Sequence, residues 1–172
     1  MQSQAENWVK KALQAKILTQ TEFIAKSLSF RKQNKKVVFT NGCFDLLHSG
    51  HISYLMQAKA LGDFLFLALN SDASVKKLKG EMRPIFPLQE RLENLAALFF
   101  VDYLTSFEQE TPLSLIEQAL PFLLVKGGDY QPSQIVGQKV VEKNNGQVLS
   151  LPFVDGRSTT ALLAQFSKIE KK

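Results

Sequence analysis

"FTNGCFDLLHSGH", residues Phe39 to His51, holds both histidines of the chain, His48 and His51, and its one cysteine, Cys43. The stretch begins at the end of "KVVFT", a short β-rich run. It leads into "HISYLMQAKAL", whose apolar spacing is helical. It is therefore a strand-to-helix junction. Gly42 permits a tight or left-handed turn after the strand. Gly50 stands where the helix starts, and without a Cβ it lets a ligand approach the backbone. The first turn of a helix carries unpaired N–H groups and positive dipole charge, which together make an anion site. His51 falls in that turn and His48 just before it, so both imidazoles can point at one anion. The arrangement suits a phosphate that gains negative charge during a reaction.

A single histidine is more often a satisfied core or surface residue. Here two histidines, a glycine and a strand-to-helix junction coincide, which favours a site. A zinc pair is the other chemical reading. It needs further Cys or His partners, which the chain lacks, so no protein-held metal is expected.

Working outward, "DFLFLALN", "DYLTSF", "PFLLVKGG" and "QVLSLPF" read as further strands, and the first of them is apolar enough to be covered on both faces. Helical patterns separate them: "HISYLMQAKAL" with Ile52, Leu55, Met56 and Leu61 facing inward, "LQERLENLAALFF", "TPLSLIEQAL" and "IVGQKVVEKNNG". Thr111 is expected to cap the third of these ahead of Pro112, and Gly146 to stop the fourth. "STTALLAQFSKI" reads as a last helix. "DASVKKLKGEMRPIFP", broken by Gly80, Pro84 and Pro87, reads mostly as loop. Five strands alternating with helices predict an α/β fold: a doubly wound, five-stranded parallel sheet with ligands bound at the C-terminal strand ends. Two helical patterns precede it. Trp8, Val9, Leu13 and Ile17 lie roughly on one face of the first, and Thr19 or Thr21 caps the second. Residues 1–34 are thus expected to form an N-terminal helical arm and 35–172 the α/β domain. The arm's apolar face is expected to pack on the core, with homodimerisation the other use open to it.

The chain has 172 residues, 45% hydrophobic and 22% charged, as befits one soluble domain that needs no disulfide or structural metal. One cysteine points to a reducing, cytoplasmic setting. The N-terminus lacks a signal-peptide pattern, and no apolar run is long enough to span a bilayer. The net charge of +5 suits a small polyanion such as a nucleotide. No aromatic-interleaved basic stripe supports nucleic acid.

Around the histidines, Thr40, Asn41, Gly42, Cys43 and Phe44, with Gly50, are expected to form the nucleotide or phosphate loop. Cys43 and Phe44 read most simply as packing residues. Asp45 is expected to orient this loop. "VKGGDY" ends the fourth strand. Gly127 and Gly128 let the backbone pass close to a ligand, Lys126 faces phosphate, and Asp129 can accept bonds from a sugar hydroxyl. Arg91 offers an outward salt bridge or a substrate contact. Ser158, Thr159 and Thr160 can cap the last helix and donate to an anion.

The HxGH pattern, "HSGH" here, resembles the nucleotidyltransferase superfamily. The ordered segments "FTNGCFDLLHSGHISYL", "ALNSDASVKKLKGEMRPI", "LVKGGDY", "IVG" and "STT" look like the heptose 1-phosphate adenylyltransferases, from about Val37 to Leu163. The resemblance implies a Rossmann-like nucleotidyltransferase fold. It implies ATP as substrate, with Mg²⁺ carried on its phosphates, and a heptose 1-phosphate as acceptor. It makes His48, His51 and Lys79 catalytic, with Lys79 reaching the phosphates from a mobile loop. Arg83 and Gly128 become substrate contacts, alongside Asp45. Many superfamily members carry a basic residue shortly after the STT motif. This chain has "ALL" there, and Arg157 is the substitute on hand. Family members often sit behind a sugar kinase domain; this chain looks like a stand-alone form.

Overall fold

A computed structural model describes residues 2–128 and 130–152. Helices α1 (Gln2–Gln14) and α2 (Gln20–Lys32) come first. Strand β1 (Val37–Gly42), helix α3 (Ser49–Lys59), β2 (Phe64–Asn70), α4 (Asp72–Lys79) and α5 (Leu88–Ala96) follow. Then come β3 (Tyr103–Phe107), α6 (Leu113–Ala119), β4 (Leu123–Gly127), α7 (Gln138–Lys143) and β5 (Gln147–Leu151). The expected last helix lies outside the described residues.

The strands form one sheet in the order β3-β2-β1-β4-β5, and every pair is parallel. Apolar runs make this possible, because successive side chains feed opposite faces. Val38, Leu65, Leu67, Leu104 and Val125 join Leu55 of α3 and Leu92 and Leu95 of α5 on one face. Val37, Phe39, Phe66, Leu124 and Val148 join Phe23 of α2, Ile116 of α6 and Val141 of α7 on the other. Each such fully buried side chain stabilises the fold by about 1.5–3 kcal/mol. The strand order reverses between β1 and β4, so the crevice above those two strands is where a ligand belongs.

Helix α2 is part of this construction. Thr19 caps it through a reciprocal pair with Glu22. Phe23 is fully buried, edge-on to Phe39 and Phe66. The Ser27 hydroxyl donates to the Ala119 carbonyl, and Arg31 donates to the Leu120 carbonyl. Just before α2, Leu18 N–H donates to Leu104 O and Leu104 N–H to Lys16 O, which covers the outer edge of β3. In α1, Leu13 packs on the core, whereas Trp8 is 71% exposed.

Four local expectations are corrected. The segment after Asn70 is helical: α4 is capped by Ser71, whose hydroxyl accepts from Ser74 N–H. Its polar composition hid it, since only Val75 and Ser74 are buried. In α3 the buried residues are Gly50, Tyr54, Leu55 and Ala58; Met56 faces outward and Leu61 lies past the helix end. Thr111 does not cap α6, because Pro112 occupies the cap position. After α7 the left-handed residue is Asn145 (φ 59°), not Gly146. Gly146 is needed for space instead: a Cβ there would lie 2.6 Å from Val141 Cγ1 and 2.9 Å from the Phe122 carbonyl.

Candidate active site

A cavity of about 560 Å³ opens at the C-terminal ends of β1 and β4. The end of β1 and the residue after it form one wall, through Asn41, Gly42 and Cys43. His51 of α3, Lys79 at the end of α4, and Lys126 with Gly127 at the end of β4 also line the cavity.

The loop is built to aim its side chains. Phe44 takes a left-handed backbone (φ 46°), which costs an L-residue about 1–2 kcal/mol. Its ring lies over Gly42, where a Cβ would come within 2.9 Å of it, so Gly42 serves close approach. The same ring sits 5.2 Å from the His51 ring. His48 is the N-cap residue of α3, and its ring stacks on His51 at 3.8 Å between centroids. Gly50 is buried in the first turn. The first-turn amides of Ser49, Gly50 and His51 have no partner within the helix.

His51 Nδ1 is buried and lacks a hydrogen bond of ordinary geometry among the described residues. Burial, then His48, then Lys79, push its pKa down from 6.5 to about 4. The Leu46 backbone acts in the opposite sense and is outweighed. His51 is thus a neutral imidazole at pH 7, able to donate one N–H to a phosphate without a charge of its own. Lys126 is also tuned by its surroundings: burial lowers its pKa, and Cys43 acts to raise it. Its Nζ lies 3.5 Å from the Asn41 carbonyl.

Several other expected site residues are taken up by contacts within the protein or lie at the rim. Thr40 is fully buried, its hydroxyl 2.6 Å from Tyr54 OH, which donates to the Val125 carbonyl. Asp45 accepts from the amides of Ile85 and Phe86 and pairs with Arg83, so both charges are spent tying the α4–α5 loop to the β1–α3 loop. Arg91 is 1% exposed and turned inward, against the expected outward salt bridge or substrate contact. It donates to the carbonyls of Cys43, Asn70 and Phe86 and pairs with Asp72. Lys79 is exposed at the end of a helix rather than in a loop. Gly128 (φ 120°) spends its N–H on Leu151 O and its carbonyl on the Ser150 hydroxyl. Asp129, Arg157, Ser158, Thr159 and Thr160 lie outside the described residues.

The cavity also takes in residues to which the sequence reading gave no site role: Asn70, the turn at 110–112, Tyr130 and the segment 134–136. Asn70 ends the "DFLFLALN" strand at the sheet's C-terminal edge, and that position was its only signal. Among the described residues no group of three His, Cys, Asp or Glu side chains is placed to hold a metal ion. No helix among them is long and apolar enough to cross a membrane.

Comparison with known proteins agrees with this geometry. The family described as cytidylyltransferase-like matches residues 39–159. The bifunctional protein HldE of Citrobacter koseri is 51% identical over 156 residues, covering 91% of this chain and 33% of that protein. Its counterpart in Escherichia coli O157:H7 is 50% identical, over 90% of this chain and 32% of that protein. The chain therefore spans about a third of the length of these curated relatives. Among solved structures, a lipopolysaccharide core biosynthesis protein from Thermoplasma volcanium aligns with a TM-score of 0.57 at 26% identity, over 70% of this chain and 97% of that one. A pantoate-beta-alanine ligase from Francisella tularensis shares the fold, with a TM-score of 0.56 at 18% identity, over 84% of this chain and 68% of that one. A parallel sheet with a histidine pair at its switch point and a family match over most of its length thus make this chain a member of the cytidylyltransferase-like nucleotidyltransferases.

Proposed function

We propose that the chain transfers the adenylyl group of ATP to D-glycero-β-D-manno-heptose 1-phosphate, giving ADP-heptose and pyrophosphate. A sugar-phosphate oxygen attacks the α-phosphorus, the bond to the bridging oxygen breaks, and its electron pair leaves with pyrophosphate. The acceptor is already ionised, so no general base or covalent intermediate is required. The protein must hold two polyanions in line and offset the charge that builds on the α-phosphate and leaving group.

The observation that carries this reading is the placing of His51 and Lys79 on one cavity at the switch point, beside the uncapped first turn of α3. His51 would donate to an α-phosphate oxygen, and the α3 amides would share its charge. Lys79, at the rim, would meet the outer phosphates. Lys126, Asn41 and Gly127 would face the acceptor or the ribose. Mg²⁺ would arrive on the phosphates and neutralise part of their charge. Among the described residues, the carboxylates on the cavity lining are Asp45, already committed to Arg83, and Glu110. The adenylyl donor and the heptose acceptor follow the sequence resemblance. The similarity to a lipopolysaccharide core biosynthesis protein supports the same setting.

The test is pyrophosphate release with ATP or CTP against heptose 1-phosphate, glycerol 3-phosphate and phosphoethanolamine. ATP with the heptose should turn over well above every other pair. Faster turnover with CTP and another acceptor would replace this reading with a cytidylyltransferase. Tight ATP binding with no turnover on any acceptor would replace it with a nucleotide-binding regulator.

A further inference from the structure

We infer that Arg91 is a positioning residue for His51, acting through the Cys43 carbonyl and the Phe44 ring. Arg91 ties together three segments around the cavity. Its guanidinium is fully buried and, among the described residues, forms one ion pair, with an Asp72 side chain that is 43% exposed. Its other three bonds go to main-chain carbonyls: Cys43 at 2.6 Å, Asn70 at 2.9 Å and Phe86 at 3.1 Å. Those carbonyls come from the β1–α3 loop, the end of β2 and the loop before α5. Two of these segments, at Cys43 and Asn70, line the cavity.

The bond to Cys43 is the shortest of the three and falls one residue before the left-handed Phe44. Fixing the Cys43 carbonyl fixes the peptide that sets the Phe44 φ. Phe44 in turn places its ring against His51 and over Gly42. The path therefore runs from a helix on one sheet face, through one peptide, to the imidazole. A planar fork of five donors can serve three carbonyls and a carboxylate from one point; an ammonium with three donors cannot reach the same set. A displacement of about 1 Å at a reacting group can cost about a hundredfold in rate. Arg91 touches no substrate in this account.

The test uses the full chain carrying Arg91→Lys, compared with wild type by steady-state kinetics, thermal melting and NMR titration of the His51 ring. The proposed adenylyl transfer supplies only the turnover readout; the titration stands if that reading fails. Folded R91K should lose about tenfold or more in kcat with little change in the KM for ATP. Its His51 should titrate above about 4 and nearer the ordinary 6.5, because the Phe44 ring, 5.2 Å away in wild type, would no longer help to bury it. Phe44→Ala, which keeps the Arg91 bonds, should reproduce both changes and tests the last step of the path; if R91K does not fold, Arg91→Gln, which keeps a planar amide donor for the Cys43 carbonyl, takes its place with the same expected shifts. A purely structural role would lower Tm and leave the specific activity and His51 titration of the folded protein unchanged. Either folded variant with a wild-type His51 titration overturns the inference, whether or not turnover falls.

Discussion

At neutral pH the His51 ring carries no charge, since burial, the stacked His48 ring and Lys79 all oppose a second proton. An unfolded chain would take up that proton near pH 6.5, and the folded one near 4. The unfolded state thus binds more protons within that window, and acid favours it. The stabilising share of His51 is complete above pH 6.5 and is lost as pH falls to about 4, by at most about 3 kcal/mol. A Tm series from pH 7 to pH 4 should fall less steeply in His51→Asn than in wild type; parallel curves would contradict the assignment. ATP phosphates near His51 would favour its protonated form, so ATP binding near pH 5.5 should take up protons, measurable as buffer-dependent binding heat. His51→Ala should lower turnover by about 10²–10³-fold, the cost of one preorganised donor, while the protein still folds. Turnover within twofold of wild type would remove His51 from the chemistry. The histidine pair was legible in the sequence because its chemistry is local: two rings, a glycine and a helix start within four residues. The inward turn of Arg91 was not, because its partners Cys43 and Asn70 lie 48 and 21 positions away.

Among the elements, the strands were readable because their apolar runs feed two buried faces, as "DFLFLALN" does in β2. Helix α4 was not, because "DASVKKLK" buries few side chains and stands beside Gly80 and Pro84. Its capping serine, Ser71, was the available signal. The inward face of α3 was misread at Met56 because apolar character alone marked it, whereas the buried Tyr54 carries a hydroxyl that reaches Thr40 and Val125. Tyr54→Phe should therefore cost about 1–2 kcal/mol in denaturant unfolding, because a buried hydrogen bond is left half-made. The two N-terminal helices should answer differently to mutation. Phe23→Ala in α2 removes a fully buried ring and should cost about 3–5 kcal/mol. Trp8→Ala in α1 removes an exposed one and should stay within about 0.5 kcal/mol. Equal losses at the two positions would show that α1 is as deeply packed as α2.

For the whole molecule, alternation of strand and helix led to the doubly wound sheet, and the sheet explains why the site could be read only in part. Strand order brings β1 beside β4, so Asn41 and Lys126 share one cavity although 85 positions apart. The Glu110–Pro112 wall comes from a loop with no motif of its own, and Ile135 and Val136, though inside the "IVG" segment, carry no polar group to mark them as site residues; only the fold gathers them. The central claim is that ATP's reacting phosphate sits at the first turn of α3 against His51. A crystal structure with a non-hydrolysable ATP analogue tests it most directly. The α-phosphate should lie within hydrogen-bonding distance of the His51 ring and the α3 amides, with Lys79 on the outer phosphates. A nucleotide bound elsewhere, with the His51 ring making no contact to phosphate, would contradict the account.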